Sequence, residues 1–319
     1  MQPSWRRHAL TAVMITTLAA GCGSATASTS DARPEKPDLT VAVVAAEASA
    51  GLYIAADRGL FAKAGLHVTL KTVTSPTVAL PGLLHGGIDI ISGQLSTFIS
   101  AQAAGLARFR VLATGFSLGP RVEAITVPEG SPITAPQQLR GATVAVNAIG
   151  GIDQILAEAS LSAYQISPRQ VHYVAVPFQS MGAALASHRV DAAYLTEPYL
   201  TEAEQQQGAA PLLDPDAGPA QDLPFSAYMT TAAWASRYPR TAQAFAKAVT
   251  QGNLLAATNL TVFEKAMEDQ LHIPPVVADV MATGSFPLGV DEVQLQRVAT
   301  FMYEYGALKH PFNIKAMLR

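Results

Sequence analysis

The residues with which this chain could do chemistry fall in six short stretches: 47–50, 75–77 and 92–96, then 147–152, 178–180 and 196–198. Each follows an apolar run, and several open a helical pattern, which places free backbone N–H groups and the positive end of a helix dipole at the tip. Ser49, Ser75, Gln94, Ser96 and Gln179 add neutral hydrogen-bonding side chains, with Leu95 between two of them. Gly150 and Gly151 allow backbone to approach a bound molecule closely. Glu47 and Glu197 bring carboxylates, and Phe116 and Phe225 could form an apolar wall. This is an inventory for reversible binding. The chain has no H-E-x-x-H and no phosphate-cradling glycine loop, and its His residues show no metal-ligand spacing. Neither a metal nor a cofactor is expected. Every one of these residues also has a structural role open to it. Ser75 could cap a helix, Gly150 and Gly151 could make a tight turn, Glu197 could be a stabilising first-turn acid, and the two Phe could be core.

The stretch 51–70, GLYIAADRGLFAKAGLHVTL, shows what positions those tips. Leu52, Ile54 and Ala55 give a helix its apolar face, Gly59 and Gly65 stand where left-handed caps are needed, and His67-Val68-Thr69-Leu70 switches to strand residues. With the strand Leu39-Thr40-Val41-Ala42-Val43-Val44 before it, this is a βαβ unit. The unit then recurs. Thr40-Val41-Ala42-Val43-Val44 returns as Thr143-Val144-Ala145-Val146-Asn147, Leu66-His67-Val68 as Val171-His172-Tyr173, and Ile88-Asp89-Ile90 as Val190-Asp191-Ala192. The order of elements, rather than their identity, carries the repeat. It predicts an α/β protein of two βαβαβ lobes. One crossing is expected near Glu123-Ala124-Ile125-Thr126-Val127 and a return crossing at Pro224-Phe225-Ser226-Ala227-Tyr228-Met229-Thr230-Thr231, which together form a hinge. The expected division is 39–122 with 228–319 for lobe I and 123–227 for lobe II. In open α/β sheets ligands bind beyond the carboxyl ends of strands, and all six stretches sit there.

The 319 residues include 49% hydrophobic and 14% charged side chains, with a formal net charge of -3, so there is no basic field for nucleic acid. Arg6 and Arg7 precede a short apolar run, as in a secretory signal, expected over residues 1–21. Leu18-Ala19-Ala20-Gly21-Cys22 resembles a bacterial lipobox, in which the Cys is lipidated; Ala19 stands where most lipoboxes have Leu. Cys22 is the only cysteine, so no disulfide forms within the chain. Residues 22–38, small, polar and Pro-bearing, read as a flexible tether from the membrane.

Ala56-Asp57-Arg58-Gly59-Leu60-Phe61 followed by Gly65-Leu66-His67-Val68 resembles a signature of the solute-binding proteins of nitrate, sulfonate, taurine and thiamine-pyrimidine-precursor importers. Gly87-Ile88-Asp89, Gln138-Leu139-Arg140-Gly141, Val190-Asp191-Ala192-Ala193 and Glu197-Pro198-Tyr199 are similar to that family's repeated elements. The resemblance implies a type II periplasmic-binding-protein fold. It implies a monomer outside the cytoplasm that captures a small polar solute and delivers it to the transmembrane subunits of an ABC permease with its cytoplasmic ATPase. Two alternatives stand beside it: an enzyme of thiamine-pyrimidine synthesis, a type that shares the fold but carries a Cys-rich site where this chain has only Cys22, and a solute-sensing lipoprotein without a transport role. Glu47, Glu123 and Glu197 bear on the ligand. Carboxylates facing the cleft suit a donor-bearing solute such as an aminopyrimidine or an amine-tailed sulfonate, whereas Arg121 is the only base near the hinge and speaks for an anion.

Overall fold

The computed structural model describes residues 33–318. The expected signal, Cys22 and the first part of the tether lie outside the described residues. Ten strands follow in order: β1 (Asp38–Val44), β2 (His67–Val73), β3 (Ile90–Gln94), β4 (Phe109–Ser117), β5 (Glu123–Val127), β6 (Thr143–Val146), β7 (His172–Ala175), β8 (Ala192–Thr196), β9 (Ala210–Leu213) and β10 (Pro224–Thr231). They form two five-stranded sheets, ordered β2-β1-β3-β10-β4 and β7-β6-β8-β5-β9.

Both sheets obey one rule. In the first, β1 pairs in parallel with β2 and β3, with Asp38 opposite His67 and Val41 opposite Ile90. In the second, β6 pairs in parallel with β7 and β8, with Thr143 opposite His172 and Val144 opposite Ala192. The next place in each sheet is taken by an antiparallel strand that arrives from the other sheet: β10 between β3 and β4, and β5 between β8 and β9. Pro224–Thr231, read from sequence as the return crossing, is therefore a strand of the first sheet. Its apolar residues are buried because it lies between two other strands, and the crossing is the polar connector 214–223 before it. The connectors 118–122 and 214–223 run side by side, with Leu118 N–H donating to Leu223 O at 3.0 Å and Glu123 N–H to Asp216 Oδ2 at 3.1 Å.

The repeated Asp explains part of the repeated sequence. Asp89 Oδ2 accepts from Thr40 N–H at 2.9 Å, and Asp191 Oδ2 accepts from Thr143 N–H at 2.7 Å. Each carboxylate ties the loop before one strand to the start of its neighbour. Asp89 also accepts from Lys36 Nζ at 2.7 Å and Trp234 Nε1 at 2.9 Å. Gly59 and Gly65 adopt the left-handed conformation expected of them, with φ of 64° and 75°.

After β10 the chain is mainly helical, and its long helix Pro239–Thr258 docks on the helix Ala50–Asp57. Their closeness is set by two glycines. A Cβ on Gly252 would lie 1.9 Å from the carbonyl oxygen of Gly51, and one on Gly51 would lie 1.8 Å from Asn253 Oδ1. Asn253, fully buried, donates from Nδ2 to Thr114 O at 3.0 Å and Pro287 O at 2.8 Å, fastening this helix to β4 and to the C-terminal segment. We expect Gly252→Ala to lower unfolding free energy by about 1–3 kcal/mol through overpacking, outweighing alanine's better helix propensity. Urea denaturation measures this; unchanged stability would show that the two helices separate freely.

Candidate functional site

The strand tips of the two sheets meet along one seam. Three hydrogen bonds cross it: Asn147 Nδ2 donates to Thr74 O at 3.1 Å, Tyr199 Oη to Ala45 O at 2.9 Å, and Glu47 N–H to Glu197 O at 3.4 Å. Val44 and Val73 of the first sheet pack with Phe178 and Tyr199 from the second half. The sequence places each tip. Parallel strands joined by right-handed crossovers all end on the same edge, and the helices that follow them begin there.

From the first sheet, Ser49 Oγ donates to Val44 O at 2.9 Å and lies 3.3 Å from Ser92 Oγ. Ser226 Oγ donates to Ala48 O at 3.2 Å, and Gly115 leaves room for it, since a Cβ there would lie 2.5 Å from that hydroxyl. Ser75 is buried at the start of the helix Pro76–Leu84, and its side chain makes no capping hydrogen bond. The next residue, Pro76, packs onto Gly93, where a Cβ would lie 2.5 Å from the proline ring. Gln94 Oε1 and Ser96 Oγ are buried without a partner. Leu95 is fully buried in the core. Phe116 packs edge-on against Phe286, with ring centroids 5.4 Å apart, and against Gly284; Phe225 lies in the same core.

In the second half, Gly150 is exposed with φ 73°, and a Cβ on Gly151 would meet Ala148 O at 2.9 Å, so these two shape a tight turn. Gln179 is exposed. The deeper residues were not among the side chains singled out from sequence as ligand contacts, although one of them lies in a named tip. Asn147 is buried, with Oδ1 unpartnered. Asp153, in the first turn of the helix Ile152–Ser162, is buried with Oδ1 unpartnered. Glu123 begins β5, and because β5 runs antiparallel its first residue stands at the edge where β8 ends, opposite Thr196. Glu123 Oε2 accepts from Tyr194 Oη and its Oε1 is unpartnered, as is Asp216 Oδ1 on the second connector. The signals were present, since Asn147 belongs to a named tip and Glu123 to the crossing. Asp153, however, reads as an ordinary helix-start acid and Asp216 as part of a polar loop.

Among the described residues six acids are buried, and Asp89 alone has a lysine. The other five, Glu47, Glu123, Asp153, Glu197 and Asp216, lie at the seam with no ion pair among the described residues. Glu47 Oε1 accepts from Gly284 N–H at 3.2 Å, and Glu197 Oε1 from Ala282 N–H at 3.2 Å and Thr201 Oγ1 at 2.8 Å. Carboxyls from the two halves thus hold one C-terminal strip, 282–284, from either side. Burial pushes Glu47 up to about 8, with Glu197 and Asp216 adding repulsion. Burial likewise raises Asp153 and Glu197 to about 7 and, reinforced by Asp214, Asp216 to about 8. Glu123 is pushed well above the usual carboxyl range by burial and by the Asp216 and Asp153 charges. Arg121 is exposed and lines a cavity of about 480 Å³ with Glu123, Glu197, Glu204 and Asp214. No group of three His, Cys, Asp or Glu among the described residues is arranged to hold a metal ion.

Residues 47–259 match the family model described as NMT1/THI5 like. No curated protein matches the chain. Among solved structures, the chain is similar to the alkanesulfonate-binding protein SsuA of Xanthomonas axonopodis pv. citri bound to MOPS, at 18% identity and a TM-score of 0.75, over 90% of this chain and 99% of that one. It is similar to the periplasmic nitrate-binding protein NrtA of Synechocystis PCC 6803, at 18% identity and a TM-score of 0.72, over 89% and 85%. The desulfurization enzyme DSZB is also similar, at 18% identity and a TM-score of 0.64, over 89% and 96%. The fold is the periplasmic-binding-protein fold expected from the sequence.

Carboxyls with raised pKa values stay protonated in the folded chain after the unfolded chain has released its protons, so the folded state is favoured in acid and loses that advantage as pH rises through the raised values. Between pH 5 and pH 8 the melting temperature should therefore fall, and Glu47→Gln should flatten the decline. Calorimetry across that range checks it, and a melting temperature that climbs with pH contradicts the protonation states assigned here.

Proposed function

The chain belongs to the NMT1/THI5-like family, and on that premise we propose that it is the substrate-binding component of an ABC import system. It would take a small polar organic solute between its two halves, outside the cytoplasm, and present it to a permease. A lipid on Cys22 would hold it at the membrane through the residues that follow, a tether shorter than the 22–38 expected from sequence, since Glu35 and Lys36 are bonded to Thr241 and Asp89 and Asp38 begins β1. The halves would divide at the two connectors, 118–122 and 214–223. The observation that carries this reading is the single seam at which polar strand tips of both sheets face one another, bridged by three hydrogen bonds and joined by two connectors running in contact. Such a joint lets two rigid sheets part and close, and a solute with contacts to both would favour the closed form by its differential affinity.

Binding rather than catalysis is favoured by the chemistry of the seam. It presents hydroxyls, amides and carboxyls, and the chain's sole cysteine lies outside the described residues. The resemblance to a desulfurization enzyme shows that the frame can host chemistry, so turnover belongs in the test. Candidate solutes at a hundred times their Kd should stabilise the protein by about 2.7 kcal/mol, read as a higher melting temperature. A hit should also reduce the radius of gyration in solution scattering and be recovered intact. A hit recovered as product would make the chain an enzyme, and binding without any change in scattering would remove the closure step.

A further inference from the structure

We propose that the solute taken at this seam is a small organic cation, bearing ammonium or guanidinium groups and no acid group. The inference rests on the solute-binding reading above and adds the chemistry of the ligand. Most of the unpartnered buried polar atoms at the seam are acceptor oxygens. Glu47 Oε2, Glu123 Oε1, Asp153 Oδ1, Asp216 Oδ1 and Asn147 Oδ1 are all buried and all without a hydrogen-bond partner. Buried polar atoms are almost always satisfied, and each that is not costs free energy. A molecule that brings several N–H donors suits such oxygens, once ionised, better than an oxyanion does.

The charges point the same way. No Lys or Arg is buried among the described residues, whereas five carboxyl residues are buried together here. Their mutual influence shows that they form one cluster: Asp216 and Asp153 both act on Glu123, and Glu197 and Asp216 both act on Glu47. A sulfonate or nitrate brought to this place would meet like charge or force every carboxyl to keep its proton. A cavity of about 480 Å³, of a size that suits small ligands, is lined by Glu123 and Glu197, and of the five unpartnered acceptors it reaches Glu123. Its single base, Arg121, is exposed and is outnumbered by Glu123, Glu197, Glu204 and Asp214. Tyr194 faces the cluster as a donor to Glu123, and the protein also serves Glu47 Oε1, Glu197 Oε1 and Asp216 Oδ2, which leaves the opposite oxygens of Glu47, Glu123 and Asp216 for a ligand.

The raised carboxyls supply a signature. A cation replaces the protons that now make the cluster tolerable, so binding should release protons, and affinity should rise with pH by up to about tenfold per unit for each proton released. The experiment is isothermal titration of the full chain with agmatine, putrescine and spermidine, and in parallel with nitrate and ethanesulfonate, at pH 6 to 8 in phosphate and in Tris. At least one of the three cations should bind, with buffer-dependent heat that reports proton release. Glu123→Gln and Asp153→Asn should each weaken that binding by roughly tenfold or more, the loss expected for a charge-assisted hydrogen bond. Their melting temperatures should stay level or rise, because a buried carboxyl has been removed. A merely structural role would lower the melting temperature and leave affinity intact, which overturns the assignment. Binding of nitrate or ethanesulfonate and of none of the cations overturns the cation while leaving solute capture standing. Failure of all five probes overturns the cation too, and the wider solute screen then decides capture separately.

Discussion

Five carboxyl side chains are buried where the two sheets meet, and no basic side chain is buried with them. Taking an ionised carboxylate out of water costs several kcal/mol even after the surroundings relax, so this seam closes only if the acids are protonated, hydrogen-bonded or paired with a charge from outside. The chain uses the first two devices. Glu47 and Glu197 accept amide hydrogens from the strip 282–284, and Glu123 accepts from Tyr194. What these contacts leave unsatisfied is concentrated in one place, away from the apolar cores of the two halves.

The topology explains why the acids converge. Parallel strands deliver their carboxyl ends to one edge, which accounts for Ser49, Ser75, Gln94 and Asn147. An antiparallel strand delivers its amino end to that same edge, which accounts for Glu123 at the start of β5. The connector beside it carries Asp216 within reach of the Glu123 amide. Because the two crossings exchange strands, with β5 entering the second sheet and β10 the first, neither sheet is complete without chain that has passed through the joint. Each core thereby depends on both connectors. The C-terminal strip adds a further coupling, since it is gripped by Glu47 on one side and Glu197 on the other.

Much of this was legible before any coordinates. The repeat of Thr40-Val41-Ala42 as Thr143-Val144-Ala145 predicted two similar sheets, and the paired Ile88-Asp89-Ile90 and Val190-Asp191-Ala192 proved to mark Asp89 and Asp191, each bonded to the start of a neighbouring strand. Gly59 and Gly65 stand in the left-handed conformation for which no side chain is needed. Sequence was less informative where one residue type serves two purposes. Leu95 lies in a tip stretch and is core. Gly150 and Gly151 make a turn, and Phe116 packs on Phe286. Pro224–Thr231 has the apolar character of a strand, but nothing local says which sheet it joins.

What the sequence by itself determined is the periodic framework: which segments are strands, where their ends carry polar residues, and that the pattern occurs twice. Local propensity and hydrophobic spacing act over a few residues, so they are readable from a few residues. Only the tertiary structure decided that Glu47, Glu123, Asp153, Glu197 and Asp216 share one buried place, because their meeting depends on strand direction and sheet order, and electrostatic free energy depends on distance and burial rather than on position along the chain.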